Sequence, residues 1–422
     1  MKKNVIFTAL LFLLISCSGD NTSVQGALSP IRTKALNTVQ KPVNLTNSKP
    51  LDDDYLSAIR RFSSDFAGVA FSKSSSIFSP ISLFHCFGML YEGVENETRK
   101  QMGEVFHYED VASLKDSVKK ATEAASLHYE HSELDVSSSF WMDDLYRERI
   151  KENYIQTLTD YYYAEVYEGA LESDEVRQDL ANWLNNKTHD MFQVTKDAFP
   201  TSSSTVLVLL NSIYLKSRWF NAFEEFLNQE QDFTDLEENK KKLIFMNATE
   251  IGNIYFGEDY QMAMLSLEGN IQFHMLLPNE LSSSEQVFQD RILDILDPSN
   301  LPSKRYSIEY SVPQMKVKSK YSLTEVLPEL GLTAPFIPSD DYGNILTKGE
   351  YPFYVSSAVH EAGMELNNDV IEAAAYTEII MDECTSVGPG EPLETFRFTL
   401  DRPFLYAITY QGLPLFLGTF LG

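Results

Sequence analysis

Residues 204–216 read STVLVLLNSIYLK, an almost unbroken apolar run rich in β-branched residues. A strand with one wet face alternates polar and apolar side chains, so a run like this predicts a strand covered on both faces. Such a strand needs a sheet around it and further layers over that sheet. After about residue 200 the chain supplies more strands: IQFHMLLP, RYSIEYSVPQMKV, FRFTL, and the closing pair FLYAITY and LPLFLGTF around Gln411-Gly412. Before residue 200 the period is helical. LDDDYLSAIRRFSSDFAGVAF places Tyr55, Ile59, Phe62, Phe66 and Val69 three and four residues apart. SPISLFHCFGMLYEGV begins with Ser79 and Pro80 where an N-cap and a first helical residue belong. VRQDLANWLNNKTHDMF is a third helix. Helices first and strands later predict an α+β protein, with a helix-rich N-terminal half and large mixed sheets. No repeat is visible, and no linker follows residue 50.

The chain has 422 residues, 43% of them hydrophobic, and a formal net charge of -27. That is enough apolar material for a sizeable core. The charge excludes nucleic acid as a partner, because neutralising phosphates takes a basic face. The one lysine run, NKKK at 239–242, reads as a solvated turn.

The N-terminus, MKKNVIFTALLFLLISC, has two lysines, an apolar stretch and a small-residue site before Cys17. This is the pattern of an export signal over residues 1–16, and the apolar stretch is too short for a permanent membrane span. LISC also resembles the lipobox of bacterial lipoproteins, which implies lipidation of Cys17. Residues 17–50 are rich in Ser, Thr, Asn and Pro and read as a flexible tether. The expectation is a membrane-anchored lipoprotein of the outer membrane, facing the periplasm or the cell surface, with a folded domain over 51–422.

Catalytic signatures are absent: there is no H-E-x-x-H, C-x-x-C, G-x-S-x-G or P-loop. His128 and His131 lie among polar residues with no third ligand at metal spacing. The sequence therefore points to no enzyme, metal or cofactor. Cys86 reads as a buried thiol inside a helix, and a bridge to Cys384 stays open.

One segment suits neither core nor linker. Residues 370–392 read VIEAAAYTEIIMDECTSVGPGEP. Laid out as a strand, Ile371, Ala373, Ala375, Thr377, Ile379 and Met381 share one face. Glu372, Ala374, Tyr376, Glu378, Ile380 and Asp382 share the other, which carries all the charges. Three consecutive alanines also suit a short surface helix, and both readings stand at this level.

SIFSPISLFHCFGMLYEGVENETRKQM (76–102) resembles a segment of the serpins, and the likeness recurs in order along the chain. LANWLNNKTHDMF carries the W-x-x-x-K-T pattern from Trp183 to Thr188, and LVLLNSIYLKSRW carries N-x-I-Y-x-K-x-x-W. SVPQMKVKSKYSLTEVLPELGLTAPF, SAVHEAGMELNN and FTLDRPFLYAI…LPLFLG complete the series. The resemblance implies a serpin fold with an exposed reactive-centre loop over about 368–395. It also implies irreversible inhibition of a serine or cysteine protease, captured covalently by a monomer. The alternative is a non-inhibitory serpin acting as a binding or structural protein.

By the same resemblance the scissile bond is Cys384-Thr385, or Glu383-Cys384 if the register is one residue shorter. The hinge is Asn368, Asp369, Val370, Ile371, Glu372, Ala373, Ala374, Ala375 and Thr377. The buried cluster beneath the sheet, the shutter, is Ser79, Ser82, Asn211 and His360, and Trp219 lies at the breach where insertion begins. The family's usual Gly-Thr at the hinge is replaced by Val370-Ile371. A β-branched residue resists the backbone angles glycine allows, which slows insertion. Asp382 and Glu383 disfavour a trypsin-like target with an acidic specificity pocket.

Overall fold

The computed structural model describes residues 5–12, 31–42, 50–71, 73–129, 132–221, 223–347, 352–368 and 393–422. Its strands in chain order begin with β1 (Val5–Phe12), β2 (Lys34–Ala35), β3 (Ser76–Phe78), β4 (Leu127–His128), β5 (Glu133–Asp143) and β6 (Ala164–Gly169). They continue with β7 (Leu207–Ser217), β8 (Gln229–Thr234), β9 (Lys240–Phe256), β10 (Tyr260–Leu267), β11 (Ile271–Pro278) and β12 (Ser303–Pro313). The last five are β13 (Met315–Ser322), β14 (Val359–Leu366), β15 (Thr395–Thr399), β16 (Phe404–Tyr410) and β17 (Leu413–Phe420). The first sheet runs β13-β14-β1-β7-β5-β6-β2, with β4 on β5; the second runs β15-β12-β9-β10-β11-β16-β17-β3, with β8 on β9.

The helices that position the site are α1 (Asp53–Ala70) and α2 (Pro80–Gly93). Ser79 caps α2 by accepting the Ser82 N–H, and Pro80 supplies a first-turn residue that needs no donor. Almost every residue of α2 is buried, so the helix is a central post rather than a surface element. β7 is buried along nearly its whole length, as its run of Val, Leu and Ile requires. β16 and β17 join through Gln411 (φ 51°) and Gly412 (φ 77°), the paired left-handed residues of a hairpin turn that matches strand twist.

One expectation is corrected. Residues 31–42, assigned above to a flexible tether, are packed on the first sheet. The Leu36 N–H donates to Val166 O, and Asn37 both donates to Ala164 O and accepts from the Val166 N–H. Lys41 inserts against Asp135 and donates to Val136 O at 2.8 Å. Burial first, then Lys187, holds the Lys41 ammonium below its ordinary range, partly offset by Asp135. Asp135 is itself held low by Lys41 and Ser137, against the effect of its burial. The rest of 17–50, including Cys17, falls outside the described residues, apart from Pro50.

The apolar stretch of the N-terminal leader forms β1. It runs antiparallel to both neighbours, from Val5 opposite Ser217 to Phe12 opposite Leu210 on β7, and from Ile6 opposite Glu365 to Phe12 opposite Val359 on β14. An apolar stretch fits the middle of a two-sided sheet for the same reason that it fits an export signal.

Candidate functional site

Beneath the place held by β1, polar side chains from four elements meet in the core. Ser79 and Ser82 come from the start of α2, Asn211 from β7, Ser138 from β5 and His360 from β14. The Ser79 N–H donates to His360 Nε2 at 3.0 Å, which fixes that nitrogen as an acceptor and the ring as neutral. The Ser82 hydroxyl donates to Asn211 Oδ1 at 2.7 Å, and Asn211 Nδ2 donates to Ser138 Oγ at 3.0 Å. Ser79, Ser82, Asn211 and His360 are fully buried. The His360 ring also lies nearly parallel to Tyr321, whose phenol burial pushes up to about 12. In a dry core such bonds are costly to leave unmade, so the cluster pins α2 to β5, β7 and β14 in one arrangement.

Ser79, Ser82, Asn211 and His360 therefore come together although 281 positions separate Ser79 from His360. Ser138 and Tyr321 were not anticipated. The only signal for Ser138 was a Ser triplet inside ELDVSSSFWMD, a strand that the helical reading of the first half passed over.

At the upper end of the same place, Trp219 is buried and its Nε1–H donates to Asn367 O at 3.2 Å. Phe223 and Phe273 meet its ring edge-on, with centroids 5.1 and 5.7 Å away. Asn368, two residues past the end of β14, is held from three sides. Its Nδ2 donates to Phe223 O at 2.8 Å, while its Oδ1 accepts from Asn228 at 2.7 Å and from Gln314 at 2.8 Å. Asn228 and Gln314 were also not foreseen, since an exposed-looking Asn or Gln carries no sequence signal for a clamp. The remaining hinge residues, Asp369, Val370, Ile371, Glu372, Ala373, Ala374, Ala375 and Thr377, and the candidate cleavage residues Glu383, Cys384 and Thr385, lie outside the described residues. Cys86 is a free, buried thiol, and burial raises its pKa far above the ordinary thiol range.

Among the described residues no group of three or more His, Cys, Asp or Glu could hold a metal ion. No described helix is long and apolar enough to cross a membrane. What the site offers is mechanical: a strand-wide place between β7 and β14, a buried polar cluster under it, and a clamped asparagine at its mouth.

In this arrangement a strand remote in sequence, β1, lies between β7 and β14 of the first sheet. The family model described as serpin (serine protease inhibitor) matches residues 57–422, and the chain belongs to that family. It is 27% identical over 366 residues to ovalbumin from Dromaius novaehollandiae, covering 79% of this chain and 89% of that one. An uncharacterized serpin-like protein from Methanosarcina acetivorans is 26% identical over 377 residues, covering 86% of this chain and 85% of that one. Among solved structures, the thermophilic serpin tengpin in its native state superposes with a TM-score of 0.73 at 24% identity, covering 90% of this chain and 97% of that one. A loop-inserted structure of a cleaved ovalbumin mutant gives 0.70 at 19% identity, covering 87% and 99%. The serpin fold with helices and large mixed sheets is thereby established.

Proposed function

We propose that the protein is an irreversible suicide inhibitor of serine or cysteine endopeptidases, with residues after Asn368 as bait. The observation that carries this reading is the place between β7 and β14. It accepts a strand antiparallel to both, supplied by a segment remote in sequence. The chain leaves β14 directly beside it.

The protease's Oγ or Sγ attacks the carbonyl of Cys384, or of Glu383 in the alternative register, and the amine of the next residue leaves. The freed segment then lies down beside β14 from Ile371 onward, carrying the acylated protease with it. About fifteen residues at ~3.3 Å each displace it by ~50 Å. Deacylation needs a pre-organised oxyanion hole, and pulling on the acyl group distorts that hole, so the ester or thioester persists. The protein works as a monomer and needs no cofactor.

On this reading β1 and the bait compete for one place. Residues 1–16 act as an export signal whose removal vacates it, and lipidated Cys17 then holds the domain at the outer membrane, facing the periplasm or the exterior. Metabolic labelling with a palmitate analogue checks the anchor: label lost in Cys17→Ser supports it, and label retained contradicts it.

The main test mixes a chain of residues 17–422 carrying Cys17→Ser with leukocyte elastase or papain. The expected result is a covalent complex that survives SDS. Cleavage without any complex would instead favour the non-inhibitory reading, which Val370 at the hinge supports, because slow insertion lets deacylation win.

A further inference from the structure

Past the Phe12 end of β1 the first sheet leaves a cavity. Phe12 stands between Leu210 of β7 and Val359 of β14. Just beyond it, Leu207 and Leu209 of β7 and Ser356 and Ser357 before β14 wall a space of about 450 Å³, within the range of small-molecule sites. The inner wall is apolar and buried: Leu90 from the last turn of α2, Leu209, Ile345 and Leu346 are at most 3% exposed. The Tyr342 hydroxyl, which also lines it, is committed to Pro335 O at 2.8 Å. Aliphatic walls of this kind offer water no hydrogen-bond partners, so an apolar group fills the space better than solvent does.

The rim is polar. Ser202, Ser204 and Ser356 are exposed there, and the turn that carries the first two is closed by the Ser202 N–H on Thr205 Oγ1 at 3.0 Å. A cation is fixed beside it. Tyr146 and Phe353 both line the cavity, and the Arg149 guanidinium lies over both rings, 5.4 and 5.3 Å from their centroids. The Arg149 N–H donates to Tyr146 O at 2.8 Å, and its guanidinium donates to Thr347 O at 3.1 Å, which holds the side chain in place. Arg147, two residues earlier, is turned to Glu152 and Glu168. Arg149 makes no ion pair among the described residues, so its positive charge stands without a carboxylate.

We propose that this cavity binds an unesterified fatty acid, with the alkyl tail between Leu90, Leu209, Ile345 and Leu346 and the carboxylate at the rim, facing Arg149. A tail gains at every methylene that leaves water, and a carboxylate is the head group that a guanidinium fork matches in both charge and shape. The negative charge of the chain as a whole does not oppose this, because exposed charges further away than ~8 Å are largely screened at physiological salt.

Isothermal titration of the full-length chain with octanoate, decanoate and dodecanoate, each below its micelle threshold, tests the site. One-to-one binding is expected, with affinity rising about fourfold per methylene along the series. Arg149→Gln should weaken dodecanoate binding about tenfold, and Arg149→Lys, which keeps the charge, should restore most of the loss. Dodecyltrimethylammonium, with the same tail and the opposite charge, should bind the parent chain about tenfold or more weakly than dodecanoate, a comparison that needs no variant. Absence of dodecanoate binding, affinity independent of tail length, equal binding of the cationic amphiphile, or an Arg149→Gln chain that binds dodecanoate as the parent does would each overturn the proposal.

Discussion

Replacing Asn211 by Ala tests whether the buried cluster under the sheet is a structural lock. The change removes hydrogen bonds at 2.7 Å to Ser82 and 3.0 Å to Ser138. It also strands both hydroxyls in a site from which water is excluded. Two lost bonds at ~1 kcal/mol each, plus ~1–3 kcal/mol for the polar groups left unpaired, give a loss of about 3–5 kcal/mol. Unfolding entropy of ~2.1 cal/mol/K per residue over a domain of this size converts that to a fall of about 4–6 °C in Tm. Differential scanning calorimetry of the parent and Asn211→Ala reads it directly, and Ser138→Ala, which removes one bond, should fall about half as far. A change below 1 °C for Asn211→Ala would refute the reasoning, since the cluster would then carry no net stabilisation.

Val370→Gly should raise the fraction of protease encounters that end in a covalent complex, because the hinge then turns without β-branched resistance; an unchanged stoichiometry would show that the hinge is not limiting. Asn228→Ala removes a 2.7 Å bond to Asn368 and loosens the mouth of the sheet. With ~1.4 kcal/mol taken from the barrier, inhibitory activity should decay about tenfold faster on incubation well below Tm, and decay at the parental rate would argue against the clamp. His85 and His274 are buried neutral, with burial holding them down to about 3 and about 4. His85 Nε2 meets the Tyr55 hydroxyl at 2.7 Å, and His274 Nε2 meets the Thr409 hydroxyl at 2.9 Å. Both values lie below the ~6.5 of an unfolded histidine, so their stabilisation is complete above pH 6.5 and drains as pH falls toward 4. By pH 5 each should have lost roughly 2 kcal/mol, and Tm measured against pH should flatten over this window in His85→Gln.

The strands buried on both faces were legible because burial favours one composition: β7, β11, β16 and β17 all read as predominantly apolar runs. α2 was legible from Ser79-Pro80 and the apolar period behind them. β5 was not, because three of its buried positions are Ser137, Ser138 and Ser139, chosen for hydrogen bonding and close approach rather than apolar area. β6, AEVYEG, is short, and its glutamates mask it: Glu165 is held by Lys187 and by the Trp183 and Tyr167 side chains. The packing of 31–42 was invisible for a related reason. Its attachment runs through backbone bonds, Asn37 and the Lys41–Asp135 pair, none of which leaves an apolar period.

Of the site, Ser79, Ser82, Asn211, His360 and Trp219 were found by resemblance, since a lone buried polar residue has no local signature. Asn228 and Gln314 belong to no periodic pattern and emerge only once the start of β8, the link between β12 and β13 and the residues after β14 are brought together. The candidacy of Val5–Phe12 for the central sheet follows from an ambiguity of chemistry: an apolar octet satisfies a lipid bilayer and a sheet interior equally well.

The central claim is that the place between β7 and β14 belongs, in the processed chain, to residues 371–382. Thermal unfolding of residues 17–422 before and after a single cut at the bait tests it most directly. Eight paired residues would add roughly sixteen backbone hydrogen bonds at ~1 kcal/mol net, against ordering costs of ~1.5 kcal/mol per residue, with ~2 kcal/mol more for each large apolar side chain buried. A rise in Tm of about 10 °C or more on cutting is the predicted result; a cut protein that unfolds at the same temperature, its bait still open to a second protease, would contradict it.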